Sequence, residues 1–165
     1  MVDASEYLKH AIPIGIGATA LMDAWTIVRT RLLGIPALDY ALLGRWLGHM
    51  IRGRFRHEHI ASSRSVRGER AIGWAAHYLT GIGLAVALLV LWGLDWAHQP
   101  TIGPALIVGI GSTAAPFLLM QPGMGAGIAA SRTSRAAAAR IQTIVTHLIF
   151  GTGLYVTGLA VRHLN

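Results

Sequence analysis

Apolar residues fall along this chain in long uncharged runs rather than in the short alternations of a soluble fold. No Asp, Glu, Lys or Arg occurs in the 24 residues from Ala71 to Leu94, the 33 from Gln99 to Ser131 or the 21 from Ile141 to Val161. Each run meets the roughly 20 residues a helix needs to cross about 30 Å of hydrocarbon. An earlier run from Ala11 to about Leu33 is interrupted by Asp23, Arg29 and Arg31, and predicts a span ending near Arg29. It lacks the character of a cleaved signal peptide: Asp3 and Glu6 precede it with Lys9, and Pro13, Gly15 and Gly17 break its apolar stretch. The expectation is an all-α membrane protein, a single transmembrane domain over 1–165 with spans at about 11–30, 71–94, 102–121 and 141–161.

The segment between the first two spans is too long for a plain connector. From about 38 to 52, Leu43, Trp46, Leu47, Met50 and Ile51 form one helical stripe with Arg45, Arg52 and Arg56 beyond it. That pattern predicts an amphipathic helix lying in the membrane interface and attracting anionic lipid headgroups.

Composition strengthens the membrane reading. Apolar side chains make up 53% and charged ones 13%, against about 25% in soluble domains, and mean hydropathy is +0.52. Cysteine is absent, which excludes disulfides, thiolate metal sites, iron–sulfur clusters and cysteine nucleophiles. The net charge of +7 does not point to nucleic acid, because the basic residues lie between apolar runs and not on one face of a soluble module. Nine arginines fall in the first loop and three in the third, against Lys9 and Arg162 in the tails. By the positive-inside rule, the first and third loops are expected to face the cytoplasm and both termini to lie outside. Trp92 and Trp96 then mark the outer interface, and Trp25 and Trp74 the inner one.

An internal similarity runs through the spans. Gly15-Ile16-Gly17-Ala18-Thr19 recurs as Gly109-Ile110-Gly111-Ser112-Thr113, and His77-Tyr78-Leu79-Thr80-Gly81-Ile82-Gly83 as His147-Leu148-Ile149-Phe150-Gly151-Thr152-Gly153. The expected architecture is two pseudo-symmetric parallel hairpin repeats, the extra length of the first sitting in its cytoplasmic loop. The glycines have a packing role in either case, since small residues let membrane helices approach closely.

Three ionisable residues lie inside spans at a common expected depth of about 9 Å from the cytoplasmic ends, by the helical rise: Asp23, His77 and His147. Intramembrane ionisable groups are costly and usually face the bundle interior. The histidines occupy equivalent repeat positions, whereas the counterpart of Asp23 is Phe117. Four readings stay open. Asp23, His77 and His147 form a nitrogen and oxygen ligand set for a divalent metal such as zinc. His77 and His147 could instead be axial ligands of a haem b, with Gly81, Gly83, Gly151 and Gly153 giving the ring room. The same groups could relay protons or bind a transported cation. In the structural alternative the histidines bond carbonyls at tight helix crossings and Asp23 joins a network with Thr19. Thr19, Glu69 and Gln121 are candidates for the pocket rim, Glu69 otherwise pairing with Arg67 or Arg70. The glycine-rich Gln121–Gly127 segment, with Pro116 and Pro122 near it, reads as a flexible helix end or a broken helix, and no strand precedes it as a dinucleotide fingerprint requires. His57-Glu58-His59 reads as solvated loop beside Arg52, Arg54 and Arg56.

Gly17-Ala18-Thr19 followed by Met22-Asp23-Ala24-Trp25, then Gly44-Arg45-Trp46, Gly73-Trp74 with His77-Tyr78, Gln121-Pro122-Gly123-Met124-Gly125 and His147 with Phe150-Gly151, resemble a bacterial integral-membrane family catalogued as domain of unknown function 2938. The resemblance runs over nearly the whole chain. It implies a small polytopic inner-membrane protein without an assigned activity, and it transfers no catalytic residue. The expected function is a membrane protein that binds or passes a cation or proton. The alternatives are a haem or zinc membrane enzyme, and an accessory subunit; a homo-oligomer or a larger membrane complex is expected, because four helices are few for a complete pathway.

Overall fold

The computed structural model describes residues 4–163, and every regular element among them is helical. In chain order these are α1 (Ala4–Leu33), α2 (Tyr40–Met50), α3 (Glu69–Trp92), α4 (Asp95–His98), α5 (Ile102–Gly111), α6 (Gln121–Met124) and α7 (Ala136–Arg162), with 3-10 turns at Ile60–Ser62 and Ile128–Ala130 and a π turn at Pro116–Met120. Four segments are long and apolar enough to cross a membrane: α1, α3, the interrupted stretch Ile102–Met124, and α7. The first continues past Arg29 to Leu33, where Gly34 at φ 64° turns the chain out of the helix. The third is broken as Pro116 and Pro122 suggest. Each proline opens a new helical piece, where its missing N–H leaves no helical bond unmade.

Packing divides the residues into two compact units. One comprises α1 with the chain to Pro36, Tyr78–Ser112, and α7 from Val145 onward. Here α1 buries Ala11, Ile14, Gly15, Ala18 and Thr19, a stripe at helical spacing made largely of small residues. A Cβ on Gly15 would lie 2.5 Å from the Ile82 Cα and 2.8 Å from the Gly81 carbonyl oxygen, so the backbones touch. Gly109 meets Gly151 in the same way, its Cβ falling 2.6 Å from the Gly151 Cα. Gly15 with Gly81 and Gly109 with Gly151 thus form two close crossings. Thr157 adds a hydrogen bond between helices, its hydroxyl donating to Ile14 O at 3.1 Å. Around these contacts Ile14, Leu88, Leu89, Leu154 and Phe150 fill the core. Trp96 is also buried, donating from Nε1 to Thr101 O and packing against Gly158 rather than standing at a lipid interface. Leu79, Val90, Leu91 and Ile107 point outward and are more than half exposed, an apolar outer surface of the kind lipid covers.

The other unit comprises Ala37–His77 and Thr113–Ile144. Asp39 caps α2, its carboxylate accepting from the Ala41 amide at 2.9 Å. The helix forms where the amphipathic pattern placed it, but its buried face is Gly44, Trp46, Gly48 and His49; Leu43, Leu47 and Met50 are half-buried and Ile51 is 88% exposed. Close backbone approach decides this. Gly44 lies against the Glu69 carbonyl, Gly73 against the Tyr40 carbonyl, and Gly48 against the Val66 side chain.

Alanine at Gly15 or Gly109 is expected to lower stability by about 1–3 kcal/mol through overpacking, outweighing the roughly 1 kcal/mol that alanine gains over glycine in a helix. Gly83→Ala, where a Cβ meets nothing within 4 Å, should leave stability unchanged or raise it. Thermal unfolding in detergent checks the contrast; equal effects at all three positions would contradict it.

Candidate functional site

Asp23, His77 and His147 each have a hydroxyl partner. On α1, half-buried Asp23 accepts through Oδ2 from the Tyr78 hydroxyl at 3.0 Å, within the first unit. On α7, His147 Nδ1 lies 2.7 Å from Ser112 Oγ, also in that unit. Ser112 Oγ is in turn 2.6 Å from Gly109 O. A carbonyl only accepts, so the single hydroxyl proton goes to Gly109 and Ser112 accepts from His147 Nδ1–H. The lone pair of that imidazole then sits on Nε2. In the second unit, His77 Nε2 lies 2.9 Å from the Tyr40 hydroxyl, with ring centroids of Tyr40 at 4.4 Å and Trp74 at 5.9 Å. The spacing that sets Trp74 and His77 three residues apart on α3 puts both rings on one helix face.

Among the described residues, no three His, Asp or Glu side chains form a group that could hold a metal ion. Metal coordination by Asp23, His77 and His147 therefore has no geometric support. Room for a haem ring is also lacking at three of the four glycines considered for it: Gly81 is filled by Thr19, Gly151 by Ala105 and Gly109, and Gly153 by Ala18. Gly83 alone of these faces open space. The residues expected at the pocket rim take structural partners. Thr19 is buried at the Gly81 crossing and donates to Gly15 O at 2.7 Å. Gln121 Nε2 lies 3.5 Å from Thr143 Oγ1, while its Oε1 is buried with no partner among the described residues.

Glu69 pairs neither with Arg67 nor with Arg70. Its carboxylate takes both arms of Arg45, Nη2 at 2.7 Å and Nε at 2.9 Å, and also accepts from the Val66 amide at 2.8 Å. This fork-to-fork pair holds the Arg45 guanidinium above its ordinary pKa. The second terminal nitrogen of Arg45 reaches the carbonyls of Ala61 at 3.0 Å and Ser63 at 3.2 Å. An arginine expected beyond an interfacial stripe instead binds the long loop to α3.

His57 is the clearest departure from the solvated-loop expectation, being only 5% exposed. Its amide donates to Gly123 O at 2.9 Å, its Nδ1 lies 3.3 Å from the same carbonyl, and its Nε2 lies 2.8 Å from His49 Nδ1. Gly123 packs on the Trp46 indole and Gly125, at φ 101°, on the Glu58 carbonyl. The glycine-rich segment thus receives the loop between α2 and α3. His49 and His57 are eight residues apart with no shared periodicity, so the sequence carries no signal for this pair. Burial pushes the His57 imidazole below its ordinary 6.5; the Gly123 carbonyl opposes that, and the charges of Arg54 and His49 add to it.

The chain matches the family described as protein of unknown function (DUF2938) over residues 12–161, nearly its whole length. It belongs to that family. Comparison of this DUF2938 protein with curated proteins found no significant match, and comparison with solved structures found none either.

For the loop of this DUF2938 protein the pH sign follows from His57. The folded loop favours neutral imidazole, so the opened loop takes up the proton first. Loop stability should be complete above about pH 6.5 and should fall as pH drops through the lowered His57 value. Amide exchange over residues 54–63, corrected for intrinsic rates, should show protection declining as pH falls below about 6.5, and His57→Asn should remove that dependence. Separately, Glu69→Gln should speed exchange over 60–66 while leaving the α1 and α7 amides protected.

Proposed function

We propose that this DUF2938 protein is a multi-pass inner-membrane protein that takes up or passes a proton or small cation through ionisable side chains set within its spans. In this reading it consists of two related hairpins, its termini lie outside and its arginine-rich loops are cytoplasmic. The observation that carries the reading is the pairing of Asp23, His147 and His77 with hydroxyl side chains: Asp23 with Tyr78, His147 with Ser112, and His77 with Tyr40. A hydroxyl both donates and accepts, so each pair can exchange a proton without leaving a buried polar atom unmatched. Asp23 supplies the anionic partner and His147 Nε2 the imidazole lone pair. Separate hydroxyl pairs favour proton exchange over a shared metal. The equivalent glycine crossings at Gly15–Gly81 and Gly109–Gly151 support the duplicated hairpin.

Proteoliposomes carrying an internal pH dye test this. Under an imposed gradient, Asp23→Asn and His147→Ala are expected to reduce flux to that of protein-free vesicles, and Tyr78→Phe to slow it by about tenfold, the effect of losing one charge-assisted hydrogen bond. Asp95→Asn, in the short exposed turn outside the spans, should match the unaltered protein. Unchanged flux in folded Asp23→Asn and His147→Ala protein would overturn the proposal.

A further inference from the structure

The loop between α2 and α3 borders an open pocket of about 490 Å³, within the second unit, that the proposed function does not use. Arg54, Arg56 and Arg64 line it, together with Ser62, Ser63 and the single acid Glu58. Among the described residues the guanidinium groups of these arginines make no hydrogen bond or ion pair, whereas Arg45, the cation that holds the loop, is already neutralised by Glu69. Three exposed cations around one carboxylate leave the pocket with net positive charge, and their mutual repulsion gives nothing to the fold itself.

The cavity walls are held in place. Trp46 Nε1 donates to Phe55 O at 2.9 Å, the His57 amide to Gly123 O at 2.9 Å, Arg45 to the carbonyls of Ala61 and Ser63, and the Ser62 hydroxyl to His59 O at 2.9 Å. Backbone pinned at 55, 57 and 59–63 presents the arginines from a fixed frame, which lowers the entropy lost when a ligand binds. The volume is in the range of small-ligand sites, roughly 300–1,000 Å³. Guanidinium forks match the oxygens of a tetrahedral anion in pairs, and a serine hydroxyl can donate to a third oxygen.

We infer that the cavity lined by Arg54, Arg56 and Arg64 is a binding site for a phosphate group, carried by an anionic lipid headgroup or by a soluble phosphate. Neither the Asp23 nor the histidine pairs take part, so the inference stands apart from the proton reading.

The test uses the full chain in nanodiscs. Discs of neutral phosphatidylcholine are titrated with inorganic phosphate by calorimetry, and detergent-purified protein is titrated with phosphatidylglycerol and phosphatidic acid by native mass spectrometry. Replacement of Arg54, Arg56 and Arg64 together by Gln should weaken binding by more than about tenfold, since charged hydrogen bonds are lost. Replacement of Arg52, Arg67 and Arg70, three exposed arginines of the same segment outside the cavity, should weaken it less than about threefold through screened long-range charge alone. Glu58→Gln should tighten it. Unchanged thermal unfolding of both triple variants keeps the comparison one of binding. Saturable phosphate binding assigns the site to a soluble anion; lipid binding without it assigns the site to a headgroup. Equal losses in the two triple variants, or no saturable binding of any probe, would overturn the inference.

Discussion

Backbone-to-backbone approach at glycine is the constraint on which the rest of this structure depends. Lipid tails are as apolar as leucine, so little hydrophobic force drives one membrane helix onto another, and close van der Waals packing must supply the attraction. Gly15 against Gly81 and Ile82, and Gly109 against Gly151, provide it in one unit. Gly44 and Gly73 do the same in the other, where each lies on the opposing helix's carbonyl. Large side chains are consequently left to fill the space around the crossings, as Leu88, Leu89 and Leu154 do, or to face outward, as Leu91 and Val90 do.

Tight crossings also shape the polar chemistry. Once glycines bring backbones together, serine and threonine can return their hydroxyl to a carbonyl one turn back, as Thr19 does to Gly15 and Thr157 to Gly153. Ser112 bonds Gly109 in this manner and still has lone pairs facing His147. The imidazole tautomer is therefore set by a glycine carbonyl through one serine. Ala18, three residues after Gly15 as Ser112 is three after Gly109, has no hydroxyl to offer, and His77 pairs with Tyr40 instead. The two histidines thus end in different chemical settings.

The long loop is a folded body with its own glycine contacts, its own aromatic stack and a bidentate ion pair. Arg45 organises it, joined to Glu69 on one side and to the carbonyls of Ile60, Ala61 and Ser63 on the other. Because that ion pair is largely shielded from solvent, it is held by geometry and not by the diffuse attraction of surface charges. Three more of its arginines, Arg54, Arg56 and Arg64, gather about one pocket, so part of the segment's positive charge is local in position.

Uncharged runs longer than 20 residues, the glycine repeats and the proline break were all legible in order along the chain, because helix length, small-residue spacing and missing amide protons are local properties. Hence α2 and the four helices long and apolar enough to cross a membrane lie on the stripe and the runs that predict them, although the first begins already at Ala4, and Asp23, His77 and His147 are recognisable as ionisable residues within those helices. Which partner each would take was not legible: Tyr78 for Asp23, Ser112 for His147 and Arg45 for Glu69 lie 55, 35 and 24 residues away. Burial of His57 was equally hidden, since it arises from Gly123, 66 residues on. Amino-acid order settled that this chain is helical and apolar enough to span a membrane; the three-dimensional packing alone settled which polar atoms face one another, because hydrogen bonds between distant segments depend on how closely glycine lets the backbones approach.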